Sequence, residues 1–161
     1  MNAAPPQNIE AEESLLGAMM VTDRALGRVI GDVGLRAADL FLDRHRLIFE
    51  AIAELHAAGQ PVDALTVSDA LVKRGQIRLE GGERIAALEA AGGKHYVSEL
   101  AAKVPAPGKA GHYAEIVQHT ALLRRVLDST YRAQKAAHEG TLNGEDAELD
   151  KRLRDLQSTS H

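Results

Sequence analysis

Pro5-Pro6-Gln7-Asn8-Ile9-Glu10-Ala11-Glu12-Glu13-Ser14-Leu15-Leu16-Gly17-Ala18-Met19-Met20 is the run from which the fold can be read outward. Two prolines lack amide protons and hold the leading segment out of a helix. The chain then turns helical at once. Asn8 can cap that helix by accepting from backbone N–H groups that a first turn leaves without partners. Glu10, Glu12 and Glu13 follow where the positive end of the helix dipole favours carboxylates. Ile9, Leu15, Leu16, Met19 and Met20 form an apolar face that needs a core.

The same signals recur downstream, whereas strand alternation is hard to find. Thr22-Asp23 caps a second helix carrying Leu26, Val29, Ile30 and Val33 at the 3.6-residue period. Asp43 starts a third, with Leu47, Ile48, Ala51, Ile52 and Leu55 inward, Gly59 as its stop and Pro61 beyond. Thr66-Val67-Ser68-Asp69 reads as a variant capping box before Ala70, Leu71 and Val72, closed by Gly75. Gly81-Gly82 precedes a helix with Ile85, Ala86, Leu88 and Ala91. Gly92-Gly93 precedes another with Tyr96, Val97 and Leu100. The pattern predicts an all-α chain: a compact head of about six short helices over residues 1–107, then a long antiparallel helical hairpin over 108–161.

The hairpin follows from Lys109 to His138, a stretch without proline and, after Gly111, without glycine until Gly140. As a helix it would be roughly 40 Å long. Tyr113, Ile116, Thr120, Leu123, Leu127, Thr130 and Gln134 alternate at spacings of three and four, flanked by Val117, Leu122, Val126 and Ala133. Gly140-Thr141-Leu142-Asn143-Gly144 reads as a turn. A second arm carries Leu149, Leu153 and Leu156, in register with Leu142, and ends in a frayed Ser158-Thr159-Ser160-His161. Paired only with each other, the arms would leave apolar surface in water, at a cost of about 25 cal/mol per Å². A second hairpin would cover it in a four-helix contact. The expected dimerisation residues are Ile116, Thr120, Leu123, Leu127, Leu149, Leu153 and Leu156. The competing arrangement folds the hairpin back onto its own head.

Composition narrows the function classes. The 161 residues are 45% hydrophobic but only 3% aromatic, with no Trp, so the core must be aliphatic. A formal charge of −4 argues against gripping nucleic acid by bulk electrostatics. Without Cys there is no disulfide, thiolate zinc site or cysteine nucleophile. No stretch is long and apolar enough to span a membrane, no secretory signal pattern opens the chain, and a cytoplasmic location is expected.

Chemical motifs are equally scarce. A phosphate-cradling Gly-x4-Gly-Lys-Ser/Thr loop is absent; Gly93-Lys94-His95 and Gly108-Lys109-Ala110 lack the upstream Gly and the hydroxyl. Of seven histidines, His112 and His119 could share a helix face, but none has the spacing of a known zinc motif. His45, His56, His95 and His138 are scattered over separate segments. The acid pairs Glu10/Glu13 and Glu145/Glu148 stand at helix starts, where they complement the dipole. Ser14, Ser68 and Ser98 lack a nucleophile elbow. Arg124, Arg125, Arg132 and Lys135 form a basic strip on the long helix, interrupted by Asp128 at ion-pair spacing. Single-strand binding also wants aromatic platforms. Tyr96 and Tyr113 read as packing residues, and Gly17, Gly81 and Gly82 as close-packing and turn residues. No catalytic residue, cofactor site or metal site is expected.

The wording of the first helix resembles the N-terminal domain of bacterial replicative DNA helicases of the DnaB type, which open with Pro-Pro-Gln…Glu-Ala-Glu. The resemblance continues through Leu40-Phe41…His45-Arg46…Ile48-Phe49, Gly59-Gln60-Pro61-Val62-Asp63, Arg74-Gly75-Gln76-Ile77 and Gly81-Gly82. It ends with Tyr96…Glu99-Leu100…Val104-Pro105 and Tyr113-Ala114-Glu115-Ile116-Val117…Leu123-Arg124-Arg125. The chain departs from the family at Pro105-Ala106-Pro107-Gly108-Lys109, where relatives commonly run Thr/Val-Pro-Thr/Ser-Ala-Ala-Asn.

What the resemblance implies is a non-catalytic scaffold for DNA replication. Domains pair through hairpins, three pairs form a hexameric collar, and the collar docks the primase C-terminal region. The docking positions it implies are Glu10, Tyr96, Leu127 and Ala133. A helicase loader is a further implied partner, DNA would be met only indirectly, and the setting is the nucleoid. The family's ATPase and helicase activity would lie in a C-terminal domain beyond this chain. Two other readings stand beside it. One is a stand-alone phage, plasmid or chromosomal interaction protein that reuses the domain to capture primase, loader or helicase. The other is a small helical DNA-binding regulator.

Overall fold

The computed structural model describes residues 4–140 and 144–158. Helix α1 (Ile9–Val21) begins as its sequence dictates, with Asn8 Oδ1 accepting from Ala11 N–H at 2.9 Å. It is more deeply placed than one apolar face requires. Glu12, Ser14 and Gly17 are buried along with Leu15, Leu16, Met19 and Met20, while Ile9 is only half-buried. The central helix of a layered core is covered on most sides.

Thr22 Oγ1 caps α2 (Asp23–Leu26) by accepting from Ala25 N–H. The chain then widens into a π-helical stretch, Gly27–Val33, which Gly34 ends in left-handed conformation. A short 3-10 turn at Ala37–Asp39 leads to α3 (Asp43–Ala57). Helix α4 (Ala64–Arg74) corrects the expected capping box. Asp63 is the cap, accepting from Thr66 N–H at 2.8 Å, while Thr66 Oγ1 accepts from Asp63 N–H at 2.9 Å. Thr66 is thus the third helical residue rather than the cap. Asp63 follows Val62 in extended backbone, which lets its carboxylate reach forward. Arg74 then ties α4 to α3 through Glu50 and Glu54, at 2.9 and 2.7 Å.

The second correction lies at Gly81-Gly82, where a helix was expected to follow directly. Instead β1 (Gln76–Arg78) and β2 (Arg84–Ala86) pair antiparallel, with Ile77 opposite Ile85. Both isoleucines are half-buried and their neighbours exposed, an alternation only three residues long. Helix α5 (Ala87–Ala90) starts after this hairpin, so Ile85 and Ala86 are strand residues. Left-handed Gly92 and Gly93 lead into α6 (Gly93–Ala102). A 3-10 turn at Pro107–Lys109 precedes α7 (Ala110–Glu139), 30 residues and about 45 Å long, and α8 (Gly144–Ser158) follows. The fold is 75% helical, as expected, and among the described residues this small two-stranded sheet is the only one. The expected turn residues Thr141, Leu142 and Asn143, the Glu145 side chain and the tail beyond Ser158 lie outside the described residues.

The chain divides into two compact units, one up to Ala121 and one from Leu122. In the first, one aliphatic core joins α1 to α6 and includes Ala110, Ala114 and Val117 of α7. Gly17 has the clearest steric role there. A Cβ built on it would lie 2.1 Å from the Leu100 carbonyl oxygen, so α1 and α6 approach to backbone contact. In the second unit Ala136 is buried and Leu149 half-buried, but most large apolar residues are exposed.

Candidate docking groove

The close approach of α1 and α6 opens a groove of about 200 Å³ along their seam. Glu10, Glu13 and Ser14 line it from α1, Tyr96, Glu99 and Leu100 from α6, and Lys103, Val104 and Pro105 just beyond. Its walls are partly apolar and its rim is charged. Glu10 is exposed at the mouth, and Glu99 bonds Lys103 at 3.1 Å. The Lys103 ammonium, helped by His95, holds the Glu99 carboxyl below its ordinary range.

A buried polar chain runs under this groove. Glu12 and His45 are 2% and 0% exposed, though 33 residues apart in sequence. Phe41 N–H donates to Glu12 Oε1, and Glu12 Oε2 lies 3.3 Å from His45 Nδ1. On the other edge of the imidazole, His45 Nε2 is hydrogen-bonded to the Tyr96 hydroxyl at 2.6 Å, the tautomer setting which atom donates. The Tyr96 hydroxyl also donates to Glu13 Oε1 at 3.3 Å. On the other side, the Arg44 guanidinium carbon sits 4.6 Å from the Tyr96 ring centroid, a cation–π contact. Burial pushes the Tyr96 phenol up to about 12, with Arg44 opposing the rise and Glu13 adding to it. At neutral pH Tyr96 therefore keeps its proton and donates it.

The four implied docking positions separate into two pairs. Glu10 and Tyr96 line the same groove. Leu127 and Ala133 lie on α7 in the second unit, where Leu127 is 56% exposed and Ala133 half-buried. Six residues apart, they point about 120° from each other around the helix. The expected dimerisation residues also divide. Ile116 packs against the first unit's core, and Thr120 donates to the Val117 carbonyl oxygen. Leu123, Leu127, Leu153 and Leu156 are exposed, and Leu149 is half-buried. Exposed Tyr131, four residues after Leu127, extends the same stripe, a spacing already visible in the sequence.

Arg132 pairs with Asp128 at 3.2 Å, the expected break in the basic strip. His112 and His119 are both exposed on α7. Among the described residues, no group of three metal-ligating side chains converges, and no helix is long and apolar enough to cross a membrane. The sequence offered no sign of the Glu12–His45–Tyr96 chain beyond an acidic first turn and an apolar helix face interrupted by His45.

Comparison with known proteins fits an all-helical domain of this architecture. The model of the DnaB-like helicase N-terminal domain matches residues 4–119. The chain belongs to that family. It is 34% identical over 135 residues to the replicative DNA helicase DnaB of Leifsonia xyli subsp. xyli, covering 84% of this chain and 27% of that protein. The chain spans about a quarter of the length of the curated relatives it matches. The crystal structure of the N-terminal domain of DnaB helicase from Mycobacterium tuberculosis superposes with a TM-score of 0.77 at 32% identity, covering 92% of this chain and 97% of that one. A DnaB-like replicative helicase, solved to describe its interactions with primase, shares the fold at a TM-score of 0.60 and 18% identity. That likeness covers 91% of this chain and 35% of the other.

Proposed function

We propose that this domain is a non-catalytic scaffold that pairs with a second copy of itself and docks the C-terminal region of primase during DNA replication. In this reading residues 1–107 are the head and 108–161 the pairing arm. Pairs would assemble further into a collar, as a trimer of dimers, and a helicase loader would be a secondary partner. One observation carries the reading: Leu122, Leu123, Val126, Leu127, Tyr131, Leu153 and Leu156 are all at least 40% exposed within one small unit. So dense an apolar surface favours a protein partner, because burying it releases about 25 cal/mol per Å². The Glu10–Tyr96 groove, with its mixed apolar and charged lining, supports a second, heterologous contact. The related DnaB-like helicase whose structure describes interactions with primase supports the choice of partner.

Sedimentation velocity tests the pairing. At micromolar concentration the chain should run as a dimer or larger, and Leu123→Asp with Leu127→Asp should yield a folded monomer. A monomeric wild-type chain would overturn the scaffold reading.

A further inference from the structure

We infer that His45 is a positioning residue for partner docking: held by Glu12, it fixes the Tyr96 hydroxyl and ring in the groove between α1 and α6. This deepens the docking reading and rests on it. Burying an imidazole and a carboxylate almost completely is unfavourable unless both are hydrogen-bonded, and well-packed apolar residues of similar volume often serve stability as well or better. Core cohesion alone therefore gives this pair little reason to be polar. Its geometry supplies one. Each link points the next toward the surface: Phe41 N–H to Glu12, Glu12 to His45 Nδ1, and His45 Nε2 to Tyr96 Oη at 2.6 Å. The chain ends on the half-buried aromatic side chain of the groove.

Two contacts immobilise that side chain. Nε2 holds its tip, and Arg44 lies over its ring face at 4.6 Å. A tyrosine frozen in place before binding gives up less rotamer freedom when a partner closes over it. The Tyr96 hydroxyl also donates to Glu13 Oε1 at 3.3 Å, so its tip is held from both α1 and α3. His45 thereby sets the pose of Tyr96 without touching the partner.

A double-mutant cycle tests this by titration calorimetry, with the full chain and the C-terminal region of primase from the same organism. Tyr96→Ala first establishes that the groove binds. If Tyr96→Ala binds as tightly as wild type, the docking reading falls and this inference falls with it. If it weakens binding, Tyr96→Phe and His45→Leu should each weaken it about three- to tenfold, the range of one lost hydrogen bond. The double variant His45→Leu/Tyr96→Phe should then be no weaker than Tyr96→Phe alone, because that substitution already removes the link to His45. Additive losses, or a His45→Leu variant that binds as wild type, would overturn the positioning role alone. Should His45→Leu lose its cooperative melt, His45→Gln decides, since its amide end can reach the place of Nε2. It should bind within about twofold of wild type, and a Gln variant as weak as Tyr96→Ala would overturn the proposal.

Discussion

One helix, α7, behaves in two ways along its length. Up to Ala121 its fully buried apolar positions are small, with Ala110, Ala114, Val117 and Ala121 each at most 2% exposed, while Tyr113 and Ile116 pack half-buried at their edge. From Leu122 onward its apolar positions are large, yet Leu122, Leu123, Val126, Leu127 and Tyr131 are 40–64% exposed. Periodicity is the same in both halves, so period alone does not tell a core helix from an interaction helix. Side-chain size does better. A closely packed neighbour leaves room for alanine, whereas bulky residues facing water await something to cover them.

The largest effect that would break this comparison concerns the packed unit. Gly17→Ala drives a methyl into the Leu100 carbonyl and should lower stability by about 3 kcal/mol in chemical denaturation, near the upper end of overpacking costs. An unchanged midpoint would mean that α1 and α6 can separate without penalty. A pair of substitutions on α7 sharpens the contrast. Ala114→Leu should cost about 2 kcal/mol by overpacking a fully buried site. Leu127→Ala, measured below the concentration at which copies associate, should change stability by no more than about 0.5 kcal/mol. Equal effects at the two positions would erase the distinction between the halves.

The smallest effect lies at the groove rim. Lys103 holds the Glu99 carboxyl below its ordinary range, so in Lys103→Met Glu99 should titrate higher, as read by NMR. Because the folded value lies below the unfolded one, the pair's contribution is present above the ordinary carboxylate range. It is lost as pH falls through the lowered value. An unmoved titration would show that the ion pair does not form in solution.

Local chemistry explains which features could be read in advance. Asn8 at the head of α1, Thr22 before α2, Gly59 after α3 and Gly75 after α4 act on backbone groups within four residues, so sequence alone locates them. The β1–β2 hairpin escaped because three residues of alternation are too few to form a pattern. Asp63 escaped as the cap because Thr66 and Ser68 offered equally plausible chemistry a few residues later. The groove was legible only in part. Family likeness implied Glu10 and Tyr96, but not that His45 stands behind Tyr96.

By itself, the sequence determined the helical class, the ends of most helices, the family and the excess of bulky apolar residues beyond Ala121. Each depends on short-range spacing or composition, which survive without coordinates. Tertiary structure decided that α1 is central rather than one-faced, and that Gly17 sets its distance from α6. It also decided that Glu12, His45 and Tyr96 meet. Those outcomes join residues from 33 to 83 positions apart, and side chains so distant in sequence acquire a common environment only when the core closes.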